Sequence, residues 1–563
     1  MTKLKSKNTS PTSASSVLKE NSATSSISTN ATNDKDALQD VESGKSQSAD
    51  DSEQPIKGKK LASVLVALAV SMFLGALDNT IVSTMMPKIS ERFSAAMLVT
   101  WIFSAYVVSS TALQSVFGKM CHIFGHQRVL LAAHIFFIVG SVVCGASKSA
   151  HMLIAGRVIA GVGSSGITAA CYVFIGDFIP TAKSPMYIGI FSMVWAFASV
   201  AGPLLGGVFA DKAGFEWGFY INPIIQGPVI LIILVFMRLP LPHGSTIEKL
   251  KRIDFIGILT IVSGIVLLEL GLTWGGKDYA WNSAAVVTTL VLGIAILFMF
   301  VAVEWKLPAE PIMPLRLFKH RNAAIMYVVQ ITFGVIILLP VFYIPIYLTV
   351  VKNTTAVKSG IYLIPNMVAT SLSSIISGIF ITKTRALKPF LWAGVVINTT
   401  GIGLFALFGE DFSNAIVISV PIVFGIGVGI SIQAMLCCAQ NSVEQEDVGS
   451  ATTLFMTIRS LGNAVGLAIA QSVLQNQISP RLETIAAKYP QYKDIVDGFS
   501  ADRAIIWKEG VPEDLRREII VAFSKSFHTM FYVFLAFGGV SVILTLFVKR
   551  TALRKKIGGR VEE

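Results

Sequence analysis

The chain has 563 residues, of which 53% are hydrophobic and 14% charged, and its mean hydropathy is +0.66. A soluble chain carries about 25% charged residues, so a water-soluble enzyme or binding domain is excluded, and the net charge of +12 reads as basic loops at a membrane face instead of a nucleic-acid surface. The five cysteines, Cys121, Cys144, Cys171, Cys437 and Cys438, sit in or beside apolar runs without paired spacing, which excludes a disulfide framework.

Residues 1–56 are rich in Ser, Thr, Asn, Asp and Lys and nearly free of aromatics, so a disordered cytoplasmic tail is expected. The tail lacks the apolar core of a signal peptide, and the first span is expected to act as an uncleaved insertion signal. From Leu61 onward, apolar runs recur that reach the roughly 20 residues needed to cross a bilayer. About fourteen spans are predicted, near 61–86, 98–117, 129–147, 152–176, 186–210, 218–237, 253–273, 284–303, 323–345, 360–381, 388–408, 415–438, 450–474 and 527–548. The chain is therefore an all-α polytopic membrane protein. Its expected organisation is a six-helix unit over 57–240, a linker with two extra spans over 241–320, a second six-helix unit over 321–549, and a basic tail over 550–563.

Lys and Arg gather in alternate loops, from Lys57, Lys59 and Lys60 through Arg238, Lys249 and Lys251 to the final Lys555 and Lys556. That bias places both termini in the cytoplasm. An acidic loop, with Glu444, Glu446 and Asp447, is the exception. On the opposite side a long polar loop, helix-prone and of mixed charge, is expected over 475–526, and Asn353-Thr-Thr forms a glycosylation sequon close to a helix end.

The turn between the second and third spans, "GKMCHIFGHQR", holds Cys121, His122 and His126, which could be metal ligands. No further ligand is expected to converge on it, so no metal site is predicted. "GIFITKTRALK", between the tenth and eleventh spans, repeats its pattern: a glycine, three residues, a polar residue, then a basic turn with Lys383 and Arg385. The pair of loops suggests two related halves with a substrate site between them.

Ionisable residues at membrane depth are costly and mark pathways or partners. Asp78 lies roughly 25 Å along its helix from the cytoplasm, and Arg157 about 8 Å into a helix that starts outside. The two share the outer part of the membrane, where a proton-linked pair and a static packing pair are both open readings. Glu269 also lies toward the outer side, on a helix that could be peripheral; Arg459 is near mid-depth with Asn463 one turn on. In the fifth span, Ala198, Gly202 and Gly206 recur every four residues, a stripe that lets another helix come close, and Pro203 interrupts its backbone bonding. Trp101, Tyr106, Phe191, Trp195 and Phe197 are candidates for an aromatic cavity wall.

These motifs together resemble the fourteen-spanner drug:proton antiporter branch of the major facilitator superfamily, in its fungal form. "LDNTIVSTMMPKI" is similar to the first-helix motif at Asp78, Thr80 and Pro87, and "LIAGRVIAGVGSSGI" to the fourth-helix motif at Arg157, Gly161 and Gly163. The fifth span resembles the antiporter motif at Gly189, Gly202, Pro203, Gly206 and Gly207, with Ala198 in place of a usual glycine, and Phe219–Asn222 matches a further motif. The resemblance implies a two-bundle major facilitator fold with a central inserted helix pair, alternating access, and export driven by an inward proton gradient. It implies Arg157 as the proton-coupling arginine and Asp78 as a functional motif position.

The gating loop departs from the family pattern. Gly118, Gly125 and Arg128 match, but His122 stands where the acid belongs; in the second loop, which begins at Gly378, Thr382 does. The resemblance implies a cytoplasmic latch there, which would rest on neutral hydrogen bonds or on one protonation state of His122. The expected function is proton-coupled export of amphipathic or cationic small molecules from a fungal plasma membrane. Protonation would fall on Asp78, with Glu269 as a second site. Vacuolar transport of basic amino acids and a non-transporting nutrient sensor are the alternatives. A monomer without cofactor, metal or nucleic-acid partner is expected. No Ser/His/Asp, metal or phosphate-loop constellation supports an enzyme.

Overall fold

Long apolar runs satisfy their own backbone only as helices, and the structure, a computed structural model, is helical almost throughout. It describes residues 58–549 except 94–97, 180–182, 240–244, 277–278, 307–310, 355, 411–412, 445–446 and 500–502, together with a two-stranded pair, Lys556–Ile557 with Arg560–Val561. The tail expected over 1–56, and all of 550–563 apart from that pair, lie outside the described residues.

The first unit contains α1 (Gly58–Phe93), α2 (Val99–Phe124), α3 (His126–Gly145), α4 (Ala150–Phe178), α5 (Ser184–Val208) and α6 (Trp217–Phe236). The next two helices, expected as an inserted pair, are α7 (Phe255–Trp274) and α8 (Ala284–Lys306). The second unit contains α9 (Arg321–Ile337), α10 (Leu339–Lys352), α11 (Ala356–Thr384), α12 (Lys388–Leu404), α13 (Asn414–Asn441), α14 (Val448–Lys488) and α15 (Glu513–Leu546). Among the described residues, 13 helices are long and apolar enough to cross a membrane, with Arg321–Lys352 counted as one. That span breaks at Leu338, just before Pro340. The helix α2 is less apolar, because Ser109, Ser110, Thr111, Gln114 and Ser115 punctuate it. It packs within the first unit nonetheless and takes the place of the second predicted span.

The polar loop predicted over 475–526 is largely helix. The helix α14 runs on to Lys488 and α15 begins at Glu513. At 1.5 Å per residue, the 41 residues of α14 span about 60 Å, twice the hydrocarbon thickness. Mixed charge changes the solvent a segment prefers, not its helix propensity. Between them the described residues, 489–499 and 503–512, hold one short α-helix, Lys493–Gly498. That segment is fixed by Trp507 Nε1 donating to the Val350 carbonyl at 3.1 Å and by the Arg503 guanidinium 4.8 Å above the Phe499 ring.

Glycines set the helix pairings, and they do so twice. A Cβ on Gly140 or Gly163 would lie 2.2 Å from the Ala160 nitrogen or 2.3 Å from the Phe137 nitrogen, so α3 and α4 touch backbone to backbone. In the second unit Gly427 and Gly401 press α13 and α12 together in the same way, at 2.2 Å from the Asn398 nitrogen and 2.6 Å from the Phe424 Cα. The helices α1 and α5 meet at Gly202 and Gly206, as α9 and α14 meet at Gly462 and Gly466. Close approach through small residues is how membrane helices gain packing energy, and its recurrence relates α1–α6 to the second unit, with α9 and α10 together as one span.

The two units also meet each other, at the face that carries the basic loops. Ser115 and Thr457 hydroxyls are 2.8 Å apart, and Ser184 Oγ donates to Gln440 Oε1 at 3.4 Å. Gly118 faces Thr453, Gly176 faces Val448, and Gly189 faces Ser374 and Ile375. The helix α7 is not peripheral. Ile261 and Ile265 pack with Ala112 and Val116 of α2, and Leu461 of α14 joins the same cluster, so α7 lies along the seam between the units.

Gly163→Ala should drive α3 and α4 apart and cost about 1–3 kcal/mol. The expected readout is a lowered melting temperature of the detergent-solubilised protein; an unchanged value would mean that the two helices can part freely.

Candidate functional site

The site grows from Arg157, which is fully buried (0% exposed) with Asp78 at 1%. A charge out of water must be paired and hydrogen-bonded. Arg157 Nη1 donates to Asp78 Oδ2, Arg157 Nε donates to the Ile102 carbonyl at 3.2 Å, and Nη2 has no acceptor. Asn222 Nδ2 donates to the other carboxylate oxygen, Asp78 Oδ1, at 2.8 Å, and is also 3.1 Å from Ser141 Oγ. The guanidinium lies 4.1 Å over the Tyr106 ring, with the Phe219 ring at 6.0 Å. Gly161 brings this about. A Cβ there would stand 2.6 Å from the Tyr106 carbonyl, so α4 can approach α2 and slide Arg157 beneath Tyr106. Tyr106 in turn donates its hydroxyl to the Gly75 carbonyl at 2.8 Å, one turn before Asp78. Four helices of the first unit, α1, α2, α4 and α6, thus converge on one ion pair, and α3 supplies Ser141.

The stripe on α5 faces the helix that carries Asp78. A Cβ on Gly202 would lie 2.0 Å from Thr80 Oγ1, one on Gly206 would lie 2.5 Å from the Ile81 carbonyl, and the Ala198 carbonyl accepts from Thr80 Oγ1 at 3.3 Å. Pro203 lies inside α5, which ends in a π-helical turn at Phe209–Ala213. A Cβ on Gly207 would meet nothing within 4 Å among the described residues, so Gly207 takes no part in this contact. The same helix reaches the second unit through Gly189, so α5 links the surroundings of Asp78 to the seam.

The turn after α2 is held by Gly125, whose φ of 93° suits glycine, and its N–H donates to the Cys121 carbonyl at 3.0 Å. Contrary to the expectation that nothing further converges there, Asp177 from the end of α4 does. His126 Nε2 is 2.9 Å from Asp177 Oδ2 and His122 Nδ1 is 3.5 Å from the same oxygen. The His122 ring lies between the units, because a Cβ on Gly449 would be 2.4 Å from His122 Nε2. Arg128 is exposed. In the second loop Thr382 donates back to the Gly378 carbonyl at 2.7 Å, Lys383 is exposed, and Arg385 caps α11 with φ 54°. The acidic exception also has a role: Asp447, at the N-terminal boundary of α14 but without a side-chain bond to that helix, accepts from Arg316 Nε and Nη2 at 2.7 Å each.

The five aromatic candidates do not form one wall. Tyr106 is committed to Arg157, and Trp101 meets Trp274 of α7 edge-on at 5.9 Å. Phe191 is buried 6.2 Å from Tyr172, while Trp195 and Phe197 are exposed, Phe197 with its ring 6.0 Å from Phe73. Arg459 interacts with Tyr172 across the units, and Asn463 Oδ1 is buried without a partner. Glu269 is 2% exposed beside Thr111, with both carboxylate oxygens lacking a well-formed hydrogen bond. Asn353 is exposed, at a left-handed helix end.

Ser141 and Asp177 are missing from the candidates drawn from sequence, and Asn222 enters there only as the end of a resembling motif, with no role. Asn222 and Ser141 carry no charge, and Asp177 reads as a loop acid at the end of a span. Gln226 and Gln330 are also missing, each buried with neither amide atom partnered. A polar side chain inside an apolar run was the available signal for them.

A family profile described as "Major Facilitator Superfamily" matches residues 68–467. The MFS-type transporter olcL of Penicillium canescens is 32% identical over 498 residues, covering 88% of this chain and 85% of its own. The efflux pump dotC of Dothistroma septosporum is 32% identical over 495 residues, covering 88% and 85%. The rubrofusarin-specific efflux pump aurT of Gibberella zeae is 32% identical over 504 residues, covering 88% and 90%. Among solved structures, the human organic anion transporter MFSD10 shares the fold with a TM-score of 0.54 at 13% identity, over 85% of this chain and 100% of that one.

Removing one partner of a buried ion pair leaves the other charge uncompensated, at a cost of about 3–5 kcal/mol. Asp78→Ala should therefore lower the melting temperature strongly, and the double variant Asp78→Ala with Arg157→Met should recover most of the loss. Additive losses would show that the two residues are energetically independent.

Proposed function

Since the chain belongs to the Major Facilitator Superfamily and is a membrane transporter, not an enzyme, we propose that it is an efflux pump for small amphipathic or cationic organic molecules, driven by proton exchange. The observation that carries the reading is the buried Asp78–Arg157 pair with Asn222 closing its second oxygen. The relatives with efflux-pump names support the direction of transport.

A carboxylate held by an arginine and an amide cannot take a proton without loosening both. Protonation of Asp78 removes the charge that Arg157 needs, and an unpaired guanidinium at that depth forces rearrangement. Proton uptake and a change of state are thus one event, which is the requirement for coupling. The helix α5 carries the event to the seam, because it packs on Thr80 and Ile81 at one end and on Ser374 and Ile375 at the other. With the basic loops in the cytoplasm, the face on which the units meet is the cytoplasmic one, and substrate leaves to the opposite side. The turn at His122 is the latch of that closed face, and Asp177 supplies the acid absent at position 122. Glu269, unpaired on the seam helix α7, serves as a second proton site. The membrane is the plasma membrane.

Reconstituted vesicles should accumulate a cationic fluorescent dye under an imposed pH gradient and lose it when an ionophore collapses that gradient. Labelled lysine should not compete. Arg157→Lys keeps the charge but not the planar fork, and gradient-driven flux should fall about tenfold or more. Accumulation that ignores the gradient, or a fully active Arg157→Lys, would refute proton coupling through this pair.

A further inference from the structure

The turn after α2 brings together two imidazoles and a carboxylate from three helices. We propose that His122, His126 and Asp177 form a site for one divalent transition-metal ion of the zinc class. The three ligand atoms, His122 Nδ1, His126 Nε2 and an Asp177 carboxylate oxygen, all lie within 4.8 Å of one another. Asp177 Oδ2 is 2.9 Å from the first of these rings in contact, that of His126, and 3.5 Å from that of His122. Zinc bonds of 2.0–2.2 Å in a tetrahedron place neighbouring ligand atoms about 3.3 Å apart, and both distances fall close to it. Nitrogen and oxygen donors of this kind suit Zn²⁺, Co²⁺ and Ni²⁺, and three protein ligands leave a fourth position for water.

A hydrogen bond between His126 and Asp177 accounts for one ring only. His122 also points a nitrogen at the same oxygen from a distance too long for a direct hydrogen bond, while its other nitrogen, Nε2, is buried without a partner. The ring is held there by packing, against Gly449 on one side and 5.9 Å from the His126 ring on another. His126 in turn meets Phe178 edge-on at 4.9 Å. The His122 ring is therefore positioned by packing, without, among the described residues, the hydrogen bond to its second nitrogen that ligating histidines usually make. Their side chains keep exposures of 28% for His122 and 17% for Asp177, enough for an ion to enter from the aqueous face.

The site ties the ends of α2, α3 and α4 together, and His122 abuts the first turn of α14 from the second unit. A bound ion stiffens the closed face, so it should slow transport. The assignment stands apart from the efflux reading, because it concerns binding, whatever the cargo.

Tag-free full-length protein in detergent should take up one Co²⁺ per chain, with the visible absorption band of a tetrahedral or five-coordinate nitrogen–oxygen site, and Zn²⁺ should displace it. His122→Ala and His126→Gln should each weaken Co²⁺ binding at least about tenfold, while eluting as monodisperse protein. Zn²⁺ should raise the melting temperature of the wild type and not of His122→Ala. Absence of the band in the wild type, or equal Co²⁺ affinity in both well-folded variants, would overturn the assignment.

Discussion

The structure depends on one demand: a guanidinium in a membrane bundle must never lack its counter-charge. Arg157 meets that demand through Asp78, and most of the first unit is arranged around the pair. The Gly161 approach, the Tyr106 ring, the Asn222 amide and the α5 stripe against Thr80 each bring an element to within a few ångströms of the same two residues. A pair of this kind adds little net stability, because desolvation offsets attraction. Its value lies in how sharply the bundle responds when either charge is neutralised, and that response is what an exchanger uses.

Helix packing by small residues explains how such a response travels. The glycine contacts between α3 and α4 recur between α12 and α13, and those between α1 and α5 recur between α9 and α14. Each unit behaves as a block, since surfaces in backbone contact do not deform gradually. The units join through the Ser115–Thr457 and Ser184–Gln440 contacts and through His122 on Gly449, all near the basic-loop face. The helix α7 runs beside this seam, packed on α2 with Leu461 of α14, instead of standing apart from it.

Much of this was legible in the sequence, for definite reasons. Ionisable residues at membrane depth must find partners, so Asp78 and Arg157 announce each other, and a four-residue repeat of small residues announces a close helix neighbour without naming it. The neighbour, α1, needed the structure, as did Asn222, whose uncharged amide has no compulsory partner. Asp177 escaped because sequence distance hides the meeting of a helix end with a turn 51 residues away. The outer segment reads as a helix-prone polar loop, and the polar ends of α14 and α15 do stay helical beyond the apolar core; what the sequence does not show is that they continue the two spans without a break. The aromatic candidates were chosen by residue type alone, and their separate environments show how weak that signal is.

If Asp78 is where proton binding is converted into movement, one variant should separate movement from driving force. In reconstituted vesicles, Asp78→Asn keeps the shape of the side chain but removes its charge and one of the two acceptors that Arg157 and Asn222 use, as protonation would. This variant should still exchange labelled for unlabelled dye across the membrane at a measurable rate, but no longer accumulate dye against its gradient when a pH gradient is imposed. Accumulation by Asp78→Asn equal to that of the wild type, at equal protein content, would contradict that role.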